Sequence, residues 1–429
     1  MQLRERYDAI VVGGGPAGTS FAHLLCRAGF DVLLVERDRH PRFSVGESLL
    51  PASMPVWREL GLVERFEEAG FVRKYGAYFC FQDGAAPEYF HFPAATRVLG
   101  EHAYEVPRAD FDRLLWDAAS EAGVTAVDRT AASRFLFEGG RATGVVLRGP
   151  DGREARVTAR LLADCSGRAT LLGRQLGLRE PDRRLEKVAL YCHYADVLRS
   201  TGQDAGTIGI IATDFGWMWF IPFADGAASV GAVMHRELHA ARRKAGLDHD
   251  AIWKELLARV PAVSRRLVGS QQIRPVEAKA DFQYRVRQLA GDGWVIIGDA
   301  GAFLDPVFSS GVHLAMTGAQ LASRAAVLAL ADGRLPRAGD FAGYARRARA
   351  ALRVYSKFIY AWYDPAFRAV FMRPAHGSPG VELLVREITS LLAGAVMPAW
   401  RALPAMQLLL GIAWLNRRAA SRGAGPPVD

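Results

Sequence analysis

The stretch Asp8-Ala9-Ile10-Val11-Val12-Gly13-Gly14-Gly15-Pro16-Ala17-Gly18 decides the fold. Its apolar, β-branched opening reads as a buried parallel strand, and the glycines that follow read as a tight turn into a helix. Phe21, Leu24, Leu25 and Ala28 recur at helical spacing, Gly29 stops the helix, and Asp31-Val32-Leu33-Leu34-Val35-Glu36 is a second strand. This is a βαβ unit. Gly13 permits the sharp turn, Gly15 lets backbone approach a pyrophosphate without a Cβ in the way, and Gly18 lets the helix pack closely. Glu36 ends the second strand where a carboxylate accepts ribose hydroxyls. With strand, turn, helix, strand and acid in register, the unit is expected to bind a dinucleotide.

The chain of 429 residues, half of them apolar, can bury a large core, which suits one nucleotide-binding domain with insertions. Cys26, Cys80, Cys165 and Cys192 are scattered without a CxxC pair, against a zinc site or disulfide scaffold and for a reducing compartment, by default the cytoplasm. Arg4, Glu5 and Arg6 lead straight into the first strand, so no signal peptide is expected. The apolar stretch Leu391 to Leu415 is broken by Pro398, Arg401 and Pro404, which suits an amphipathic cover better than a bilayer span, although Trp400 and Trp414 could touch a membrane surface. The net charge of +9 comes mostly from scattered arginine without a nucleic-acid motif. It reads either as a solvated basic surface or as attraction to an acidic partner, for which a phosphopantetheinyl carrier protein is one candidate.

Further along, Arg42 to Pro51 forms a loop of small residues with one acid, Glu47, able to lie against a flat ring or simply to cap a helix or pair with a cation. Lys74 sits on a short strand, where a surface charge is the ordinary reading. Arg108 opens an amphipathic helix and can meet a phosphate or flavin edge, or make a helix-start ion pair. Residues 126 to 159 suggest an antiparallel excursion with Asp151-Gly152 as its turn. Leu161 to Arg168 returns the chain to the nucleotide domain, and strands between Val188 and Ile273 form a second sheet. Trp294 to Ala302 ends in Gly298-Asp299, whose carboxylate can accept a ribityl hydroxyl. Asp305 to Gly311 then enters a long helix reaching about Ala331, so its first N–H groups form an anion site for a flavin edge, a halide, or both.

Gly13 to Gly18, Asp164 to Arg168 and Gly298 to Gly311 together resemble the FAD-dependent monooxygenase superfamily over residues 1 to about 335. Trp217-Met218-Trp219-Phe220-Ile221-Pro222 is further similar to the W-x-W-x-I-P pattern of flavin-dependent halogenases. The resemblance implies an α/β protein with a Rossmann-like FAD-binding domain of the monooxygenase type. That domain is expected over 1–80, 105–180 and 275–335, an inserted mixed β-sheet substrate region over 81–104 and 181–274, and a helical C-terminal segment over 336–429. It implies FAD supplied reduced as FADH2 by a separate flavin reductase, O2, and chloride or bromide oxidised to hypohalous acid. Trp217 and Trp219 would keep organic substrate from the flavin, while Lys74 would position or carry the electrophilic halogen. Gly13, Gly15, Ala17, Gly18, Glu36, Arg37, Glu47, Ser48, Arg108, Asp299, Pro306 and Gly311 would bind the cofactor, and Ser310 with Gly311 the halide; no metal is expected. Residues 305 to 311 read DPVFSSG and lack the substrate-side glutamate of the tryptophan-halogenase branch. The expected substrate is therefore a phenolic or pyrrolic ring, tethered to a carrier protein, in secondary-metabolite biosynthesis. The competing reading on the same scaffold is an aromatic hydroxylase or related flavin reductase.

Overall fold

In the computed structural model, which describes residues 3–96, 100–280, 283–374, 377–396 and 398–423, the glycine-rich turn joins β1 (Arg6–Val12) to α1 (Pro16–Arg27), and β2 (Val32–Val35) follows. Ile10, Val11, Leu33 and Leu34 are fully buried, because both faces of this parallel sheet are covered at its centre. β1 pairs in parallel with β2 on one side and with Glu154–Asp164 on the other, and Trp294–Ile296 extends the parallel run. Segments far apart in sequence thus close one sheet around the turn. Ala131–Glu138 and Arg141–Arg148 form the antiparallel excursion beside Glu154–Asp164.

The chain leaves this sheet through a two-stranded ribbon, β3 (Val72–Lys74) against β4 (Ala103–Glu105), in which Val72 faces Glu105 and Lys74 faces Ala103. Residues two apart on a strand share a face. Lys74 and Glu105 therefore lie on the same side of the ribbon. α2 (Arg108–Glu121) follows at once.

A second sheet packs over the first layer. β5 (Gly216–Pro222), which carries both tryptophans, sits between Ala228–His235 and Ile208–Ala212, and the sheet continues through Gly76–Phe81 to Glu88–His91. Gly76–Phe81 thus belongs to this sheet although it precedes the ribbon's second strand. Every residue of β5 is buried.

After the second sheet the chain returns to the first and enters α3 (Ser310–Leu330), packed against α1. The C-terminal segment is helical, as its composition suggested: α4 (Ala342–Trp362), Pro379–Leu392 and Ala399–Gly423, with Pro404 inside the last helix. Val354, Phe358, Trp362, Phe371 and Leu391 join Trp217 and Trp219 in one apolar cluster, so the segment covers the tryptophan face of the second sheet. Among the described residues no helix is long and apolar enough to cross a membrane. Residues 424–429, which include most of the polar tail, lie outside the described residues.

Candidate active site

The turn after β1 is built by clashes that only glycine avoids. Gly13 has φ +109°, and a Cβ there would fall 2.2 Å from the Cys165 carbonyl oxygen; a Cβ on Gly18 would fall 1.8 Å from the Gly13 carbonyl oxygen. Gly14 carries a constraint the sequence did not disclose, since its Cβ would meet the Trp116 ring at 2.5 Å. Gly15 is different. Its φ of −83° suits any residue, and a Cβ there would approach only the Arg42 Nη2, at 3.3 Å. The space beside it is free, and the N-terminus of α1, with Pro16 in its first turn, has no side-chain cap. Uncapped N–H groups facing open space bind phosphate oxygens.

That space is one end of a cavity of about 1000 Å³. Of the residues expected to hold the cofactor, Gly13, Gly15, Ala17, Glu36, Arg37, Glu47, Ser48, Arg108, Asp299, Pro306 and Gly311 line it, as do Ser310, Trp217 and Trp219. Gly18 packs the helix on the turn instead. Glu36 is fixed by the backbone N–H groups of Gly14 (2.8 Å) and Asp38 (3.0 Å), leaving lone pairs on both oxygens for hydroxyl donors. Arg108 makes the helix-start ion pair, its Nε and Nη2 donating to Asp112 at 2.8 and 3.0 Å, while its Nη1 donates to the Val45 carbonyl. It thereby braces the loop that carries Glu47 and Ser48. Arg37 is exposed, beside Asp38. Asp299 is pushed up to about 6 by burial, against the pull of Arg108, Arg168 and Lys279. Lys279 and Arg168 also line the cavity; Lys279 carried no sequence signal, being one cation in an unremarkable strand.

The two indoles form a wall. Their ring centroids lie 5.7 Å apart, Trp219 Nε1 donates to Ser229 Oγ at 3.1 Å, and Trp217 Nε1 donates to Tyr363 Oη at 3.1 Å. Tyr363 in turn donates to Asp305 Oδ2 at 2.6 Å, and Asp305 Oδ1 accepts from the Val307 N–H. The C-terminal segment therefore ties the tryptophan strand to the turn before α3. That turn places Ser309 at φ +54° and leaves the start of α3 without a side-chain cap.

Lys74 is not the surface charge its strand suggested. It is 1% exposed, and its Nζ donates to Ser48 Oγ at 2.7 Å and to the Leu49 carbonyl at 3.1 Å. Burial pulls its ammonium down from the usual lysine range. Lys74 does not itself line the cavity and reaches it through Ser48, which does. Glu47 is no helix cap: it is buried, with Oε1 2.7 Å from His193 Nε2. Glu105 and His193, both missed in the sequence, enter through strand pairing and long-range contact that no local pattern encodes.

Residues 6–335 match the family described as the FAD binding domain. The chain is 33% identical to a tryptophan 2-halogenase of Chondromyces crocatus, covering 85% of this chain and 69% of that protein. It is 29% identical to a 1H-pyrrole-2-carbonyl-[peptidyl-carrier protein] chlorinase of Pseudomonas fluorescens, covering 90% of each. The myxobacterial chondrochloren halogenase, described as a variant of FAD-dependent halogenases, superposes with a TM-score of 0.79 at 33% identity, over 93% of this chain and 91% of that one. This chain belongs to the flavin-dependent halogenases. The glycine turn, the space beside Gly15 and the uncapped α1 terminus of this halogenase fit FAD, the cofactor of its family. Gly13 to Gly18 and Glu36 would hold the pyrophosphate and ribose, and the loop around Glu47 with the start of α3 would flank the ring.

Proposed function

We propose that this halogenase uses FADH2 and O2 to oxidise chloride or bromide to hypohalous acid and halogenates an electron-rich phenolic or pyrrolic ring carried by an acyl or peptidyl carrier protein. The observation that carries this reading is that the tryptophan wall and Ser48, the hydroxyl bound to buried Lys74, line one cavity. When bound, the flavin supplies the oxidising chemistry. The chain's own residues do the rest. The N–H groups of Ser310 and Gly311 at the start of α3 hold the halide. Trp217 and Trp219 block an aromatic substrate from the flavin ring, which suppresses direct hydroxylation by denying its geometry. Lys74, reached past Ser48, donates a hydrogen bond to the hypohalous acid and directs the halogen to the substrate.

A separate flavin reductase supplies FADH2, and the carrier is favoured by the pyrrole-carrier relative and by the basic surface of the chain. The discontinuous FAD-binding domain and the C-terminal cover are proposed as units of this machine. The test combines purified protein, FAD, a flavin reductase, chloride or bromide, and pyrrolic and phenolic substrates, free and carrier-bound, with tryptophan alongside because one relative bears that name. Halogenated ring from the carrier-bound substrate is expected. Hydroxylated product without halogenation would replace the reading with the hydroxylase.

A further inference from the structure

A carboxylate stands behind the lysine. Glu105 is 0% exposed, on the same face of the β3–β4 ribbon as Lys74. Ser48 joins them, accepting from Lys74 Nζ at 2.7 Å and donating to Glu105 Oε1 at 3.1 Å. Ser48 also bridges to Glu105 through its backbone, as an isolated β-bridge. The other carboxylate oxygen, Oε2, is buried with no hydrogen-bond partner among the described residues. An incompletely bound carboxylate shut away from solvent is costly to keep. Apolar surroundings complete the site, with the Phe92 ring 5.3 Å from the ammonium.

We infer that Glu105 is the counter-ion of Lys74, a positioning residue that, through Ser48, keeps the lysine protonated and aimed at the cavity while hypohalous acid reacts. This inference rests on the proposed role of Lys74 and extends it to a residue that no motif marks. In the step it serves, the carbon–halogen bond forms as the oxygen–halogen bond breaks. The ammonium proton passes to the departing hydroxide to give water, and the proton displaced from the ring returns to the amine nitrogen. Hypohalous acid is the oxidant, and Glu105 changes neither atom nor electron count. Its contribution is electrostatic: once Glu105 has lost its own proton, its negative charge in a solvent-excluded site holds a proton on the nitrogen to higher pH than burial alone would allow.

The neighbouring charges fit this arrangement. Burial pushes Glu105 up to about 8, with Lys74 and the Ser48 hydroxyl pulling it down and Glu47 pushing it further up; the same burial pulls Lys74 down, opposed by Glu105. Glu47, across the loop, is itself bound by His193. Arg73 and Tyr104, on the opposite face of the ribbon, are engaged with Glu67. Glu105 is therefore the carboxylate that acts on Lys74 from the same face of the ribbon.

The test is the pH dependence of single-turnover halogenation by the full-length enzyme loaded with reduced FAD. In Glu105→Gln, which keeps the shape and removes the charge, the loss of activity on the basic side is expected to move to lower pH by about one unit or more; Ser48→Ala shifts it in the same direction. A Glu105→Gln profile superimposable on that of the wild type would overturn the inference. If Glu105→Gln does not accumulate as folded protein, Lys74→Met/Glu105→Gln must restore folded yield, since the unpaired charge is then gone; failure to restore it also overturns the pairing. Lys74→Met alone separates the two claims. Its continued halogenation would sink the role of Lys74 itself, whereas an inactive Lys74→Met beside an unshifted Glu105→Gln would sink only the counter-ion.

Discussion

Gly15→Val separates cofactor binding from folding. Gly15 sits at φ −83° and ψ −175°, where a β-branched residue is at ease, and its Cβ would meet only the movable end of Arg42. Gly15 is the N-cap of α1, and a β-branched residue caps less well, so the folded protein should lose about 1 kcal/mol. Gly15 immediately precedes α1 and lines the cavity, so the added methyl groups take up space beside the helix N-terminus, where phosphate oxygens would accept from free N–H groups. Each hydrogen bond to a charged group contributes roughly 1.5–3 kcal/mol. Displacing two of them weakens FAD by at least about 3 kcal/mol, or roughly a hundredfold in Kd. Thermal unfolding of the FAD-free protein should move by no more than a few degrees, while a titration followed by flavin fluorescence should show the loss. Wild-type affinity in Gly15→Val would refute the placement of the pyrophosphate. Gly13→Ala is the control with the opposite signature, for it clashes with the Cys165 carbonyl at a φ of +109° and should fail in folding first.

Gly231→Ala attacks the tryptophan wall from the neighbouring strand, where Gly231 faces Trp219: the new Cβ would lie 2.1 Å from Trp219 Cζ2, so the indole must move or the strand must strain, at about 1–3 kcal/mol. Product analysis should show less halogenated and more hydroxylated substrate, with FAD affinity unchanged; an unaltered product ratio would count against the wall. Acid stability reports on His313, buried beside Ser53 and lowered by burial to about 4 from 6.5. Its stabilising contribution is complete above about pH 6.5 and is lost as pH falls toward 4, because the unfolded chain takes up the proton first, by roughly 3 kcal/mol in all. His313→Leu should flatten the fall in unfolding free energy across that window, and an equally steep fall would contradict this.

How much could be read from sequence follows from distance along the chain. The β1–turn–α1 unit was legible because Gly13 and Gly18 answer local demands, a positive φ and a close approach within the turn, and the alternating tryptophans because a strand puts residues two apart on one face. Arg108 and Asp112, four apart on a helix, were within the same reach. Lys74 was recognisable only by resemblance. Its burial depends on pairing β3 with β4 across residues of another sheet, and neither Ser48 nor Glu105 is near it in sequence. Glu47 with His193, and Trp217 with Tyr363, are each 146 residues apart, which places them beyond any periodicity. Gly14 hid its reason in Trp116, on a helix a hundred residues away.

In the proposed reaction the halogen is oxidised at the flavin side of the indole wall and used at Lys74. Lys74→Met tests it most directly, since it removes the amine and leaves an apolar side chain of similar length in the same buried place. With reduced FAD, O2 and halide, the variant should bind FAD normally and still release hypohalous acid to a chemical trap while giving no halogenated substrate. Halogenation of the ring by Lys74→Met at the wild-type rate would contradict it.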